Sequence, residues 1–288
     1  MNKQNSNNVL LAIETATFEV GAALVIDGEV VGELSQPAEN RHAEELFVLI
    51  EQLLITAGIR LGDVGAFAVD IGPGLFTGLR VGVAAANALA YALSRPVIGI
   101  SGTSVLGEAL LGNLPDHNSE TLAVPVLDVR RGEVAFELNG QFLSGPRHAV
   151  LDSATSGGVT EGTLSLGSPK YFCQTLVSFI DQITRNKTTD SVFLGASKAL
   201  CLLIAGSGAY RYRETLESDL RDLLGEYENV TFSFAKGFAT PPISVLGALA
   251  YDLFQKGGLS SEGSLQKPLY LREADAKVGA WKNAKIGK

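Results

Sequence analysis

The stretch VLLAIETATFEVGAALVIDGEVVGEL, residues 9–34, sets the architecture. An apolar run rich in branched residues, Val9 to Glu14, ends on an acid. A polar turn follows, then a second apolar run from Val20 to Ile26, then Asp27-Gly28 and a third strand, Glu29 to Leu34. Asp-Gly tolerates the positive φ that a two-residue hairpin demands. The same grammar returns a hundred residues later. Leu122 to Val129 is an apolar strand with Asp128 near its end, and Glu133 to Leu138 is a second. Asn139-Gly140 is the turn, and Gln141 to Leu143 begins a third strand. Acid and turn lie 13 residues apart in the first case and 11 in the second. The pattern fits an internal duplication, and it also fits two unrelated hairpins.

Helices interleave with these strands. From His42 to Ala57 the apolar positions Ala43, Leu46, Phe47, Ile50, Leu53, Leu54 and Ala57 recur at helical spacing, and Gly58 stops the run. Ala66 to Asp70 reads as a strand, Thr77 to Leu93 as a helix, Pro96 to Ile100 as a strand and Thr103 to Leu111 as a helix. In the second half a helix is expected near Phe172 to Ile183, and strands at Leu202 to Ala205 and Val230 to Phe234. Pro241-Pro242 opens a helix carrying Leu246, Leu249, Ala250, Leu253 and Phe254. Segment 153–198 is poorly patterned, and Pro268 to Arg272 looks extended. Strand meanders with helical cover predict an α/β fold.

At 288 residues and 46% apolar composition the chain can bury one large core or two smaller ones. Its net charge of −8 argues against a grip on phosphate backbones by the chain as a whole. Cys173 and Cys201 form no CxxC pair, so a reducing cytoplasm is expected. The best membrane-span candidate, Val81 to Leu93, falls short of the ~20 residues a bilayer needs, and no membrane role is expected.

The stretch DIGPGLFTGLR, residues 70–80, lies between a strand and a helix. It is neither GxxxxGK(S/T) nor GxGxxG. It could make weak contacts with a nucleotide through Thr15, Gly72, Pro73 and Gly74, since backbone amides at a helix start favour anions, or serve as a tight turn. In the helix after it, Gly78, Gly82, Ala86 and Ala90 stand four apart and line one face. Such a stripe admits close approach, either of the chain's own core or of a second chain. Of the three histidines, His42, His117 and His148, none forms an HxxxH or HExxH pair. Glu14-Thr-Ala-Thr17 and the charged turn Asp128 to Glu133 end two strands, and no GxSxG elbow occurs.

LAIETAT (11–17), RHAEE (41–45), IGPGLFTGLRVG (71–82), PVIGIS (96–101), DVRRGE (128–133) and PLYLR (268–272) together resemble the bacterial TsaB (YeaZ) family. The resemblance is strong over residues 9–138 and thin over 150–240. It implies a duplicated actin/Hsp70-like α/β fold of two lobes, each with a mixed sheet and covering helices. One lobe would comprise 9–105 plus 241–272, the other 106–240. It further implies a non-catalytic scaffold for a TsaD-type catalytic subunit, working with a TsaE-type ATPase. Together these place threonylcarbamoyl on N6 of adenosine 37 in ANN-decoding tRNAs. The chain would homodimerise in isolation, meet tRNA only through the complex, and hold no catalytic residue, metal or resident cofactor, with ATP or ADP allowed at the partner interface. His42 stands alone where TsaD carries a helical histidine pair. The docking surface is expected at His42, Glu45, Leu46, Leu49, Gly78, Arg80, Gly82, Val83, Ala86, Asn87 and Ala90. The sequence departs from the family pattern at Glu14, Leu75 and Asp70-Ile71. The competing expectation is a stand-alone ATP-dependent enzyme of the sugar-kinase/actin-like superfamily.

Overall fold

A computed structural model describes residues 8–38, 41–114, 120–139, 163–185, 199–256 and 265–271. The strand expected from Gln141, His117, His148, Gly140 and Arg272 lie outside the described residues.

The first sheet contains β1 (Val9–Glu14), β2 (Glu19–Ile26), β3 (Glu29–Pro37), β4 (Ala66–Asp70) and β5 (Val97–Ile100), ordered β3-β2-β1-β4-β5. The second contains β6 (Glu120–Asp128), β7 (Val134–Leu138), β8 (Thr163–Gly167), β9 (Leu200–Ala205) and β10 (Val230–Phe234), ordered β10-β9-β6-β7-β8. Replacing each strand of one sheet by the strand five places later gives the other. The senses agree as well. β1 is antiparallel to β2 and parallel to β4, and β6 is antiparallel to β7 and parallel to β9. The fold is therefore a duplicated, two-lobed α/β architecture of the actin/Hsp70-like kind. The third strand of the second hairpin that the structure describes is β8.

The helices repeat too. α1 (His42–Ala57) follows β3, α2 (Phe76–Leu93) joins β4 to β5, and α3 (Gly102–Gly112) follows β5. In the second half α4 (Pro169–Arg185) follows β8, α5 (Ser207–Arg211) and α6 (Arg213–Leu224) join β9 to β10, and α7 (Ile243–Gln255) follows β10. Sequence reading missed α6. Its signal was Leu216, Leu220 and Leu224, all buried at four-residue spacing among charged neighbours.

β1 reads as an unbroken apolar run because helices cover both of its faces. Leu11 and Ile13 meet α1 and α2 through Leu46, Leu49, Leu53, Val83 and Ala86. Leu10 and Ala12 meet α7 through Ile243, Leu246 and Ala250. α3 lies across the boundary between the lobes: its Val105 joins the α7 layer, while Leu106 and Leu110 sit in the second core with Phe136, Phe172 and Leu202. The boundary expected at residue 105 thus falls inside a helix that joins both cores. α2, at 18 residues, is long and apolar enough by composition to span a membrane, longer than the run the sequence suggested. Here one face packs on the first sheet.

Candidate functional site

The two lobes meet at the ends of β1 and β6, where the two equivalent β–β turns face each other across a cavity of about 520 Å³. Ala16, Thr17, Phe18, Pro73 and Gly74 line one side; Asp128, Arg130, Ser207, Tyr210 and Arg211 line the other.

The first turn is sealed. Glu14 closes β1 and Asp70 closes its parallel neighbour β4, so their side chains meet in the interior. Glu14 Oε1 accepts the amide of Ala16 at 2.7 Å, and Asp70 Oδ1 accepts that of Gly72 at 2.6 Å. Burial first, then the Asp70 charge, raises the Glu14 carboxyl well above its ordinary range; burial also raises Asp70. The Glu14 carboxyl lies against Asp70, and burial favours the protonated form of both, so a hydrogen bond from one acid to the other suits the pair. A carboxyl held in this way caps its own turn and is not presented to the cavity.

The glycine loop lies on that turn. Leu75 donates its amide to Ala16 O at 2.7 Å. A Cβ on Gly74 would stand 2.1 Å from Ala16 O, and one on Gly78 would stand 2.0 Å from Thr15 O. Gly72 has φ +104° and precedes a cis Pro73. Thr15 Oγ1 donates to Gly78 O at 2.8 Å, and a Cβ on Gly82 would meet Thr15 Oγ1 at 2.2 Å. His42 Nε2 lies 3.0 Å from Thr17 O. A carbonyl only accepts, so Nε2 carries the proton. The loop is the tight-turn alternative: its glycines exist so that α2 can sit on the β1–β2 turn. Of the residues considered for ligand contact, Pro73 and Gly74 reach the cavity; Thr15 and Gly72 are buried beneath it.

The expected docking residues mostly point inward. Gly78, Gly82, Val83, Ala86 and Ala90 are buried, as are His42, Leu46 and Leu49. The small-residue stripe is consumed by the chain's own Thr15 and first sheet, which is a correction to its expected use against another chain. Glu45 is half-buried between Arg41 (2.9 Å) and Gln36 Nε2 (2.6 Å). Asn87 Nδ2 donates to Gln266 O, and Asn87 Oδ1 accepts from Gln266 N, both at 2.9 Å. Arg80 is exposed, stacked on Phe76 at 3.8 Å and donating Nε to Tyr270 OH at 3.0 Å. Residues 265–271 are thereby strapped along α2, and Leu269 donates its amide to Ile71 O at 2.7 Å.

What the two helices do expose was missed. Phe47 (49%), Val48 (57%) and Ile55 (71%) on α1, with Phe76 and Tyr91 (83%) on α2, are large apolar side chains open to solvent. Phe47 was expected inside. Its place beside Val48, flanking the buried Leu46 and Leu49, is the signal that a helical projection contained. Among the described residues no group of three His, Cys, Asp or Glu side chains gathers as a metal set.

Two equivalent strand-end turns closing on an interlobe cavity define a protein of the duplicated actin-like class. A family model described as "TsaD: tRNA N6-adenosine threonylcarbamoyltransferase" matches residues 32–278, and the chain belongs to that family. It is 35% identical over 130 residues to the tRNA threonylcarbamoyladenosine biosynthesis protein TsaB of Haemophilus influenzae, covering 45% of this chain and 53% of that one. It is 39% identical over 107 residues to the tRNA N6-adenosine threonylcarbamoyltransferase of Moorella thermoacetica, covering 32% and 31%. The chain thus spans about half the length of the TsaB relative. A solved structure, YeaZ from Pseudomonas aeruginosa, shares the fold at a TM-score of 0.61 and 22% identity over 92% of this chain and 100% of that one. These likenesses agree with the TsaB/YeaZ resemblance read from the motifs.

Proposed function

We propose that the chain is a cytoplasmic, non-catalytic scaffold in threonylcarbamoyladenosine formation on tRNA, which binds a TsaD-type catalytic subunit through the outer faces of α1 and α2. The observation that carries this reading is the exposure of the large apolar side chains Phe47, Val48, Ile55, Phe76 and Tyr91 on two neighbouring helices. Surface apolar groups clustered on one face favour burial against another polypeptide. The sealed Glu14 turn supports the non-catalytic part, because its carboxyl is committed to Ala16 and Asp70. In the absence of the catalytic subunit the same face pairs two copies of this chain, and a TsaE-type ATPase completes the working assembly.

The test is co-expression with a TsaD-type subunit followed by size-exclusion chromatography. Phe47→Glu with Tyr91→Glu should abolish co-elution and leave the isolated chain folded. Undiminished co-elution would sink the proposed face. Gly82 and Ala86 are unsuitable probes, since both are buried within the chain. The isolated chain should transfer no threonylcarbamoyl group to an ANN-decoding tRNA.

The interlobe cavity favours a second reading, an ATP-dependent enzyme acting alone. Calorimetry with ATP and Mg²⁺ separates the two: tight, Mg²⁺-dependent binding by the isolated chain belongs to the second.

A further inference from the structure

The open corner of the second lobe carries a feature that the scaffold reading does not use. Arg130 (φ +68°) and Arg131 (φ +59°) are consecutive left-handed residues, followed by Gly132 at φ +77°. That backbone suits Asn and Gly and disfavours arginine, so two arginines held there point to a use for their side chains. Arg130 and Arg211 flank the Asp128 carboxylate at 3.8 and 3.4 Å, and both remain about half exposed (55% and 53%). A second cavity of about 220 Å³ adjoins the first, shares Tyr210 and Ala239 with it, and adds Arg213 and Lys236. The Arg213 guanidinium lies 5.0 Å from the Phe234 ring centroid, and Tyr210 is 81% exposed. Arg130 and Arg211 at the first cavity, with Arg213 and Lys236 at the second, thus set four cations around adjoining mouths beside Asp128, in a chain with 31 acidic and 23 basic residues.

We propose that this rim is a contact surface for the phosphate backbone of a looped RNA strand, with one base stacked on Tyr210. The reading of the chain as a tRNA-modification subunit supplies the identity of the polyanion; the surface rests on the residues above. The cations stand at the mouth. A small phosphate ligand inside the cavity would lie against the part-buried Asp128 carboxylate and an apolar floor of Ala16, Leu75, Leu127 and Ala239. Phosphates spaced along a strand can instead meet separate guanidinium groups outside it, while an exposed ring takes a base of any identity. The chain therefore contributes contacts of its own to tRNA, beyond those of its partner.

The experiment is fluorescence anisotropy with a labelled ANN-decoding tRNA, using the full chain alone and mixed with a TsaD-type subunit, from 50 to 200 mM NaCl. The Arg130→Ala, Arg211→Ala, Arg213→Ala triple variant should bind at least about tenfold more weakly at 50 mM salt. Its log–log salt slope should be shallower by roughly 2, as loss of two or three phosphate contacts requires. Tyr210→Ala should weaken binding with the slope unchanged, and Arg60→Ala, distant from the rim, should change neither. Wild-type affinity and slope in the triple variant would overturn the proposal. So would ATP binding at the cavity with no tRNA binding by the chain. The triple variant should still co-elute with the TsaD-type subunit. Failure of wild-type co-elution would remove the scaffold reading and leave the anisotropy of the chain alone to decide this one.

Discussion

The corner at Glu14 and the corner at Asp128 are built from the same strands in the same order, yet one is closed and the other open. Each acid accepts the amide two residues on: Glu14 from Ala16 at 2.7 Å, Asp128 from Arg130 at 3.0 Å. Above Glu14 the glycine loop and α2 descend to contact with the turn. Above Asp128 there are arginines and solvent, with only Ser207 Oγ bonded to its amide at 2.9 Å. Topology fixes where a corner sits. What differs is where the following glycines touch down: Gly74, Gly78 and Gly82 approach Ala16 and Thr15, beyond the acid, whereas Gly206 and Gly208 approach Val126 and Leu127, before it.

The largest expected effect comes from forcing the closed corner apart. Gly78→Ala places a methyl 2.0 Å from a backbone oxygen that cannot swing away. It should cost about 3 kcal/mol in urea denaturation, the upper end for overpacking. In the open corner Gly132→Ala meets no atom within 4 Å and carries only its left-handed φ, so about 1–2 kcal/mol is expected. Equal costs would erase the distinction between the corners.

The next effect is one of slope. The Glu14 carboxyl is raised by burial and by Asp70, so above the unfolded carboxyl range of about 4.3 the folded chain holds a proton that the unfolded chain has lost. Stability therefore falls as pH rises from that range through the folded titration. Glu14→Gln, which cannot ionise, should flatten that fall in denaturation midpoints measured from pH 5 to 8. A wild-type profile parallel to that of the variant would show that no proton is shared with Asp70. The smallest effect belongs to the open corner: Arg211→Ala removes a half-exposed ion pair at 3.4 Å and should change stability by no more than about 0.5 kcal/mol.

Much of the frame was legible. Asp27-Gly28 marked the first hairpin, and the αL residue Gly58 ended α1 where the apolar spacing stopped. The grammar shared by residues 9–34 and the region after 120 allowed the duplication without separating it from two unrelated hairpins, and the matching sheet orders decide it. Local pattern could not say which way the small stripe of α2 faces. Four small residues announce a close approach, and only the fold reveals that the approaching group is Thr15, more than sixty positions earlier. The Glu14–Asp70 pair and the Asn87–Gln266 bonds were hidden for the same reason: they join positions far apart in sequence. Helix α6 escaped because its three leucines sit among charges, which dilute a periodic signal that the interior reads plainly.

The strap of residues 265–271 has a consequence for the timing of biosynthesis. Asn87, Arg80 and Ile71 receive their partners from a segment made long after them, 179 residues later for Asn87 and 190 for Arg80, and α7, which covers one face of the first sheet, emerges only shortly before it. A nascent chain halted before residue 243 has its first five strands and a bare sheet face. The first sheet is therefore covered only after the second has been made, and α2 reaches its final strapped form only when residue 271 has left the ribosome.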